Sequence, residues 1–282
     1  MVNETVIGNT RKVEFSDWQS LLSYIAIPSN HNQDSFAART RAAATWDDHT
    51  DWSKAVALAT NGWHKGAEAT KTISDPIFNK ISQLIERQDI VHDVEGISID
   101  VARYLDGEPE CWQRWDTSIV HGSGVKIIKI GYNFCASAGI SAETITARGA
   151  MIAALVELLE YAGNRVELYI SFCSRGRDAF DQMQTLVKSA DQPLDMPRIV
   201  FALSHPAMLR RIQFEIMEHM SKERWSKFTE SRGNPAEVDA TQFDIYMPAM
   251  DSDDAQWTNK DTAIAWVIKE LERQGITLHK GE

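Results

Sequence analysis

Cysteine is scarce in this chain of 282 residues: Cys111, Cys135 and Cys173 are the full complement. Three scattered thiols cannot build a disulfide framework, so a reducing, cytoplasmic setting is expected. Long apolar runs are missing as well. The best stretch, 151–159, is broken by Glu157 and falls well short of the ~20 residues of a membrane span. The opening MVNETVIGNTRKVEF has no signal-peptide core. Basic residues are outnumbered, 29 Lys+Arg against 40 Asp+Glu, for a net charge of -11. A chain so charged is not drawn to phosphate backbones or anionic membranes in general, and nucleic-acid contact would need a local basic patch.

Catalytic signatures are absent too. There is no G-x-G-x-x-G after a strand, no G-x-x-x-x-G-K-[ST], no H-E-x-x-H and no G-x-S-x-G. Gly122 and Gly124 precede a strand, which argues against a phosphate cradle. The eight histidines never fall at metal spacing. His92-Asp93 with Glu95 is a tight acid–histidine cluster, and a solvated loop accounts for it.

What is present is an ordinary globular composition, 43% hydrophobic and 24% charged, which excludes collagen, rods, disordered tails and disulfide miniproteins. The length suits one large domain or a domain with a smaller partner. Six of the nine tryptophans (Trp18, Trp46, Trp52, Trp63, Trp112, Trp115) precede residue 125. They read as packing for an N-terminal layer, with a base-stacking platform as the alternative. Residues 51–60 predict a helix with Thr50 as N-cap and Gly62 as its stop. Pro76 opens a second helical pattern through Ile77, Ile81, Leu84 and Ile85. A short strand is expected over 97–101, before a turn at Gly107 and Pro109.

Beyond Gly124, apolar runs predict strands at 125–130, 166–172, 198–203 and 243–247. Helices are expected at 147–161, ended by Gly163, and at 178–190 with Phe180, Met183 and Val187 on one face. Met208, Ile212, Ile216 and Met220 mark another helix. A last one, carrying Ile264, Val267, Ile268 and Leu271, has Thr258 and Asp261 as a capping pair and Gly275 as terminator. Residues 221–240 read as a polar linker. The alternation implies an α/β fold: a mostly parallel sheet with helices on both faces over 123–282, and a Trp-rich region, 1–122, packed on or beside it. Functional loops would then gather at the carboxyl ends of the strands. That rim would hold Asn133, Cys135, Ser137 and Thr144, then Cys173, Ser174, Arg175 and Arg177, then Ser204 and His205, and finally Asp251, Asp253 and Asp254.

Asn133-Phe134-Cys135-Ala136-Ser137 between a strand and a long helix, with VELYISF beyond, resembles the von Willebrand factor A domain over about 125–275. The resemblance implies a Rossmann-like sheet and a metal-ion-dependent adhesion loop. Here Asn133 stands in place of the carboxylate and Cys135 in place of the first serine. Magnesium favours hard oxygen ligands with nearby carboxylates, so a degenerate site with no metal and no cofactor is expected. A metal-dependent module is the alternative, with the three late aspartates restoring charge. The N-terminal half, with DWSKAVALATNGWHKGAE and IDVARYLDGEPECW, is similar to uncharacterised bacteriophage-encoded proteins. That similarity implies an adaptor which recruits machinery, for example a transcription cofactor that contacts single-stranded DNA and recruits a phage RNA polymerase.

The combined expectation is a non-enzymatic binding protein with a protein partner, no membrane contact and an open oligomeric state. Arg175, Arg177, Arg210 and Arg211 are the candidate anion or single-strand contacts, aided by backbone N–H groups at the helix start after Pro206. Cys135 and Cys173 with His205 form the enzyme alternative, a hydrolase or redox centre.

Overall fold

The computed structural model describes residues 1–27, 48–83, 90–96, 98–115, 126–137, 139–228, 234–250, 260–276 and 278. Trp46, Leu84, Ile85, Val125, Thr258 and the aspartates at 251, 253 and 254 lie outside them.

The chain opens with a hairpin, β1 (Val2–Ile7) and β2 (Thr10–Phe15), turned at Gly8 with φ 57°. Asp17 and Ser20 form a reciprocal capping box for α1 (Trp18–Ala26). Next come α2 (Trp52–Asn61) and α3 (His64–Ser82). Asp51, not Thr50, caps α2, because its carboxylate accepts from the Lys54 N–H at 2.8 Å. Gly62 ends α2 as expected, at φ 81°. Pro76 sits inside α3 rather than starting a helix, while Ile77 and Ile81 are buried on its inner side.

A small module follows: β3 (Ile90–Asp93), β4 (Ser98–Ile99), α4 (Val101–Leu105) and β5 (Trp112–Trp115), with strand order β3-β5-β4. Val101 therefore begins a helix, capped by Asp100, instead of ending a strand.

The remaining elements are β6 (Ile127–Asn133), α5 (Ala142–Tyr161), β7 (Arg165–Arg175), β8 (Phe180–Lys188), α6 (Met196–Ser204), a π-helical turn (Met208–Gln213), α7 (Phe214–Glu218), α8 (Lys222–Trp225), β9 (Asn234–Pro235), β10 (Ile245–Met247) and α9 (Lys260–Arg273). The expected linker at 221–240 thus contains α8 and β9. Ser141 caps α5 and starts it five residues before position 147.

Two expected elements change type. Residues 178–190 form a strand, β8, not a helix. Asp181, Met183, Thr185 and Val187 turn inward while Gln182, Gln184 and Leu186 are half-exposed, a period of two. The spacing of Phe180, Met183 and Val187 only mimics a helix. Residues 198–203 form the helix α6, not a strand. Asp195 caps it, Pro197 lies in its first turn, and its apolar run is buried because the helix packs on α5, α3, α2 and β8. A short apolar run has the same period signature in either state when every side is covered.

The central sheet is mixed, ordered β1-β2-β8-β7-β6-β10, with β9 paired to β7. Strands β7, β6 and β10 run parallel, as do β2 and β8, whereas β1–β2, β7–β8 and β7–β9 are antiparallel. One core holds the inward faces of α1, α2, α3, α5, α6, α7 and α9 together with Val13, Ile128, Ile130, Val166, Leu168, Ile170, Phe172, Met183 and Val187, all from one side of the sheet. The N-terminal segment thus supplies two strands as well as covering helices. The expected two-sided helical cover is not found. The opposite face, with Lys129, Glu167, Tyr169, Gln184 and Leu186, bears none of these helices among the described residues, and a segment over 234–246 shields its upper part. Among the described residues no helix is long and apolar enough to cross a membrane.

Helices α5 and α6 approach closely at Gly149 of α5. A Cβ there would lie 2.2 Å from Ser204 Oγ and 2.3 Å from the Leu203 carbonyl oxygen. Elsewhere in a helix Gly→Ala gains roughly 1 kcal/mol from propensity. At this position overpacking against backbone reverses the sign, so Gly149→Ala is expected to lower the urea midpoint.

Candidate functional site

The carboxyl ends of β6, β7 and β10 meet on one rim, with Asn133 in register with Ser171 and Met247 with Tyr132. Beyond β6, Phe134 N–H donates to the Ser171 carbonyl at 2.8 Å, and Ala136 bridges to Met250. This brings Cys135 beside Cys173, while Ser137 N–H donates to the Met250 carbonyl at 3.1 Å and Arg175 pairs with Phe180 and Asn234 further along β7.

Asn133 is fully buried. Its Nδ2 lies 2.8 Å from the Ala236 carbonyl, 3.1 Å from Glu237 Oε2 and 3.2 Å from the Tyr246 hydroxyl. Its Oδ1 accepts from Cys135 N–H at 3.1 Å. Glu237 accepts in turn from the Tyr246 hydroxyl at 2.5 Å and from Ala249 N–H at 3.0 Å. The amide ties residues 236–249 over the rim through Nδ2, and its oxygen is turned to the Cys135 N–H. Burial pushes the Cys135 thiol up to about 12 and Cys173 higher still, the latter raised further by Cys135. A magnesium ion does not fit this set of donors, and protonated buried thiols are poor nucleophiles.

His205 lies away from the strands, at the end of α6. Its ring packs 4.5 Å from Trp63 and 5.5 Å from Phe201. Nδ1 accepts from Ala207 N–H at 3.0 Å, and Nε2 is 3.9 Å from an Asp48 carboxylate. Burial, helped by Lys54, lowers its pKa to about 4. It is a neutral packing residue of the helical layer, and its ring also occupies an N–H that the anion reading assigned to a ligand.

The four arginines are divided. Arg175 and Arg177 are exposed at the β7–β8 turn, where Arg177 N–H donates to the Lys227 carbonyl at 2.8 Å. Arg210 and Arg211 are buried instead of lining the rim. Arg210 Nη2 donates to the Ile140 carbonyl, and Arg211 Nε to the Thr50 carbonyl, each at 2.9 Å. The arginine pattern in the sequence could not separate these two roles.

Sequence reasoning missed Glu237, which stood in the supposed linker, and a buried charged group further along the rim. Arg11 reaches Glu4 at 2.7 Å and Asp181 at 3.3 Å, and Arg224 Nη2 donates to the carbonyls of Asn9 and Phe180. Arg11 and Arg224 line a cavity of about 290 Å³ together with Glu4, Ser221, Glu223 and Lys227. Burial raises Asp181 to about 6 despite Arg11. The cavity lining carries three cations against two acids, and its one hydroxyl, Ser221, is engaged as the cap of α8, accepting from Arg224 N–H at 3.2 Å.

A family model described as "Domain of unknown function (DUF7192)" matches residues 2–278. No curated protein and no solved structure matches the chain.

Two outcomes follow from this packing. His205 has a folded pKa below its free value of 6.5, so its contribution is present above pH 6.5 and is lost as pH falls toward 4. Between pH 7 and pH 5 that amounts to ~2 kcal/mol. Urea unfolding of wild type and His205→Gln at both pH values should show wild type losing more stability. Asp181 shifts the opposite way in both proteins and cancels from the difference. Secondly, Arg211→Met should cost ~2–3 kcal/mol by removing a buried charged donor, whereas Arg175→Ala with Arg177→Ala should leave the unfolding midpoint unmoved.

Proposed function

This chain belongs to the DUF7192 family, and we propose that it is a non-enzymatic binding protein, an adaptor that recruits a partner protein. The observation that carries this reading is the small module. It leaves Val94, Ile99, Val101, Tyr104 and Leu105 exposed, Leu105 at 76%. Apolar side chains gathered in so short a stretch mark an interaction surface. The chemistry of the rim points the same way, since its thiols are buried and its amide is engaged.

The β6–α5–β7 unit, with the Asn133–Ser137 loop leaving its first strand and Gly163 ending its helix, supports the von Willebrand factor A-like reading with a degenerate ion loop. The similarity to phage-encoded proteins supplies the setting: host cytoplasm, with a transcribing polymerase as the kind of partner. Arg175 and Arg177 support an additional contact with a short single strand of DNA. Arg175 stands opposite Phe180 in the ladder, and a ring beside a guanidinium suits stacked bases.

A photo-crosslinking residue at position 105, introduced in the native cells, should capture one discrete protein, and one at the exposed Glu272 should not. Absence of any adduct at 105 rejects the adaptor reading. For the DNA arm, filter binding across salt should show Arg175→Ala with Arg177→Ala reducing the salt slope by about 1.4, the value for two phosphates on a single strand. No retention of single strands at low salt removes that arm.

A further inference from the structure

Among the described residues the sheet ends at β1, and all six residues of that strand are exposed. Its register with β2 is unbroken from Val2 to Ile7, VNETVI contains no lysine, proline or bulge, and its one charge, Glu4, is paired within the same copy to Arg11 at 2.7 Å. Proteins normally blunt an edge with one of these devices, because an unprotected strand is a template for pairing. The direction of its free backbone groups follows from one bond. Ser16 N–H donates to the Met1 carbonyl at 3.0 Å, so in antiparallel alternation Met1, Asn3, Thr5 and Ile7 bond toward β2. Val2, Glu4 and Val6 turn their N–H and C=O groups outward.

We propose that β1 pairs antiparallel with β1 of a second copy, about a twofold axis at Thr5, joining two sheets into one. This goes beyond the adaptor reading and does not depend on it. A second copy fits because the strand is complementary to itself in one register. A twofold relation that opposes outward groups must centre on a residue, and the middle of the strand offers Glu4 or Thr5. Centring on Glu4 sets two carboxylates face to face, which is destabilising. Centring on Thr5 sets Glu4 against Val6 of the second copy and leaves the Glu4–Arg11 pair in place.

The same register sets Asn3 against Ile7 of the second copy. Both belong to the face without helices, as their partners Glu14 and Thr10 show. A cavity of about 250 Å³ opens there, lined by Met1, Asn3, Phe15, Tyr169 and Leu186 among others. Ile7, 79% exposed in one copy, arrives at the mouth of this cavity in the other. Self-complementary backbone, opposed charges avoided and an apolar side chain facing an apolar hollow all select an isologous pair.

Light scattering on the eluting full chain should give twice the mass of one copy. Thr5→Cys should form an interchain disulfide on mild oxidation. A non-hydrogen-bonded pair holds Cα atoms about 4.5 Å apart, within disulfide range, and the native thiols are buried. Asn3→Cys should not cross-link, and Val6→Pro, which removes one outward N–H, should halve the mass with an unchanged circular dichroism spectrum. A monomeric wild type, a Thr5→Cys protein that fails to cross-link, or a dimer that survives Val6→Pro with its spectrum unchanged overturns the proposal.

Discussion

Guanidinium groups buried against backbone carbonyls hold the distant parts of this molecule together. Arg11, Arg148 and Arg211 are the three largest fully buried side chains, and Arg210 and Arg224 are nearly so. Arg148 of α5 donates to the Pro248 carbonyl beyond β10 and lies 5.1 Å above the Tyr132 ring. Arg211 reaches the segment before α2, Arg210 the loop before α5, and Arg224 the turns of both hairpins. Removing such charges from water costs several kcal/mol each, and the cost is offset only where donors meet acceptors in good geometry. Arg148, Arg210, Arg211 and Arg224 therefore each fix the place of a particular loop, while Arg11 ties strands β1 and β8 through Glu4 and Asp181. The π-helical turn serves this arrangement, since all six of its residues are buried and two successive arginines can both find carbonyls inside.

The second constraint is the uneven covering of the sheet. With the long helices on one face, residues 234–246 become the cover for the other, and the sequence is cut to fit. Gly131 has no side chain where one would strike the Phe243 ring at 2.4 Å. Phe243 in turn stacks on Tyr246 at 5.9 Å. Asn133 then fastens the segment through Ala236, Glu237 and Tyr246. The loop leaving β6 is thereby held against the protein's own chain, and the buried Asn133 amide is its fastening.

The parts of this fold legible in the sequence were those with local causes. Gly62 and Gly163 stop helices because positive φ suits glycine, and the long apolar stretch of α5 follows from its length. The strands of the parallel unit were readable because glycine and polar residues bound them. Legibility failed where tertiary cover overrides period. The run 198–203 is buried on all sides and reads equally as strand or helix. In 178–190, outward glutamines and an internal Asp181 disguised a two-residue alternation. The site residues failed for a related reason. Arg175 and Arg211 have the same chemistry in sequence, and only the position of Thr50 and Ile140 in space decides which arginines face solvent. Glu237 and Arg224 carried no signal, because the Asn133 amide that donates to Glu237 and the Asn9 and Phe180 carbonyls that accept from Arg224 come from segments far away along the chain.

This internal use of arginine bears on how the surface meets other molecules. Among the described residues, six cations are buried, the five arginines and Lys188, against three acids, Asp181, Glu215 and Glu218. Burial among the described residues thus withdraws a net three positive charges from the surface of a chain whose net charge is -11. An anionic polymer approaching at random meets repulsion over most directions. The turn holding Arg175 and Arg177 is a local exception beside the rim, so any strand it accepts must arrive along a restricted path. For the proposed protein partner the same acidity favours apolar contact, which the exposed Val94, Ile99, Val101, Tyr104 and Leu105 would offer on a different segment of the chain from that turn. Partner and nucleic acid would then occupy different surfaces of one chain, the arrangement an adaptor requires.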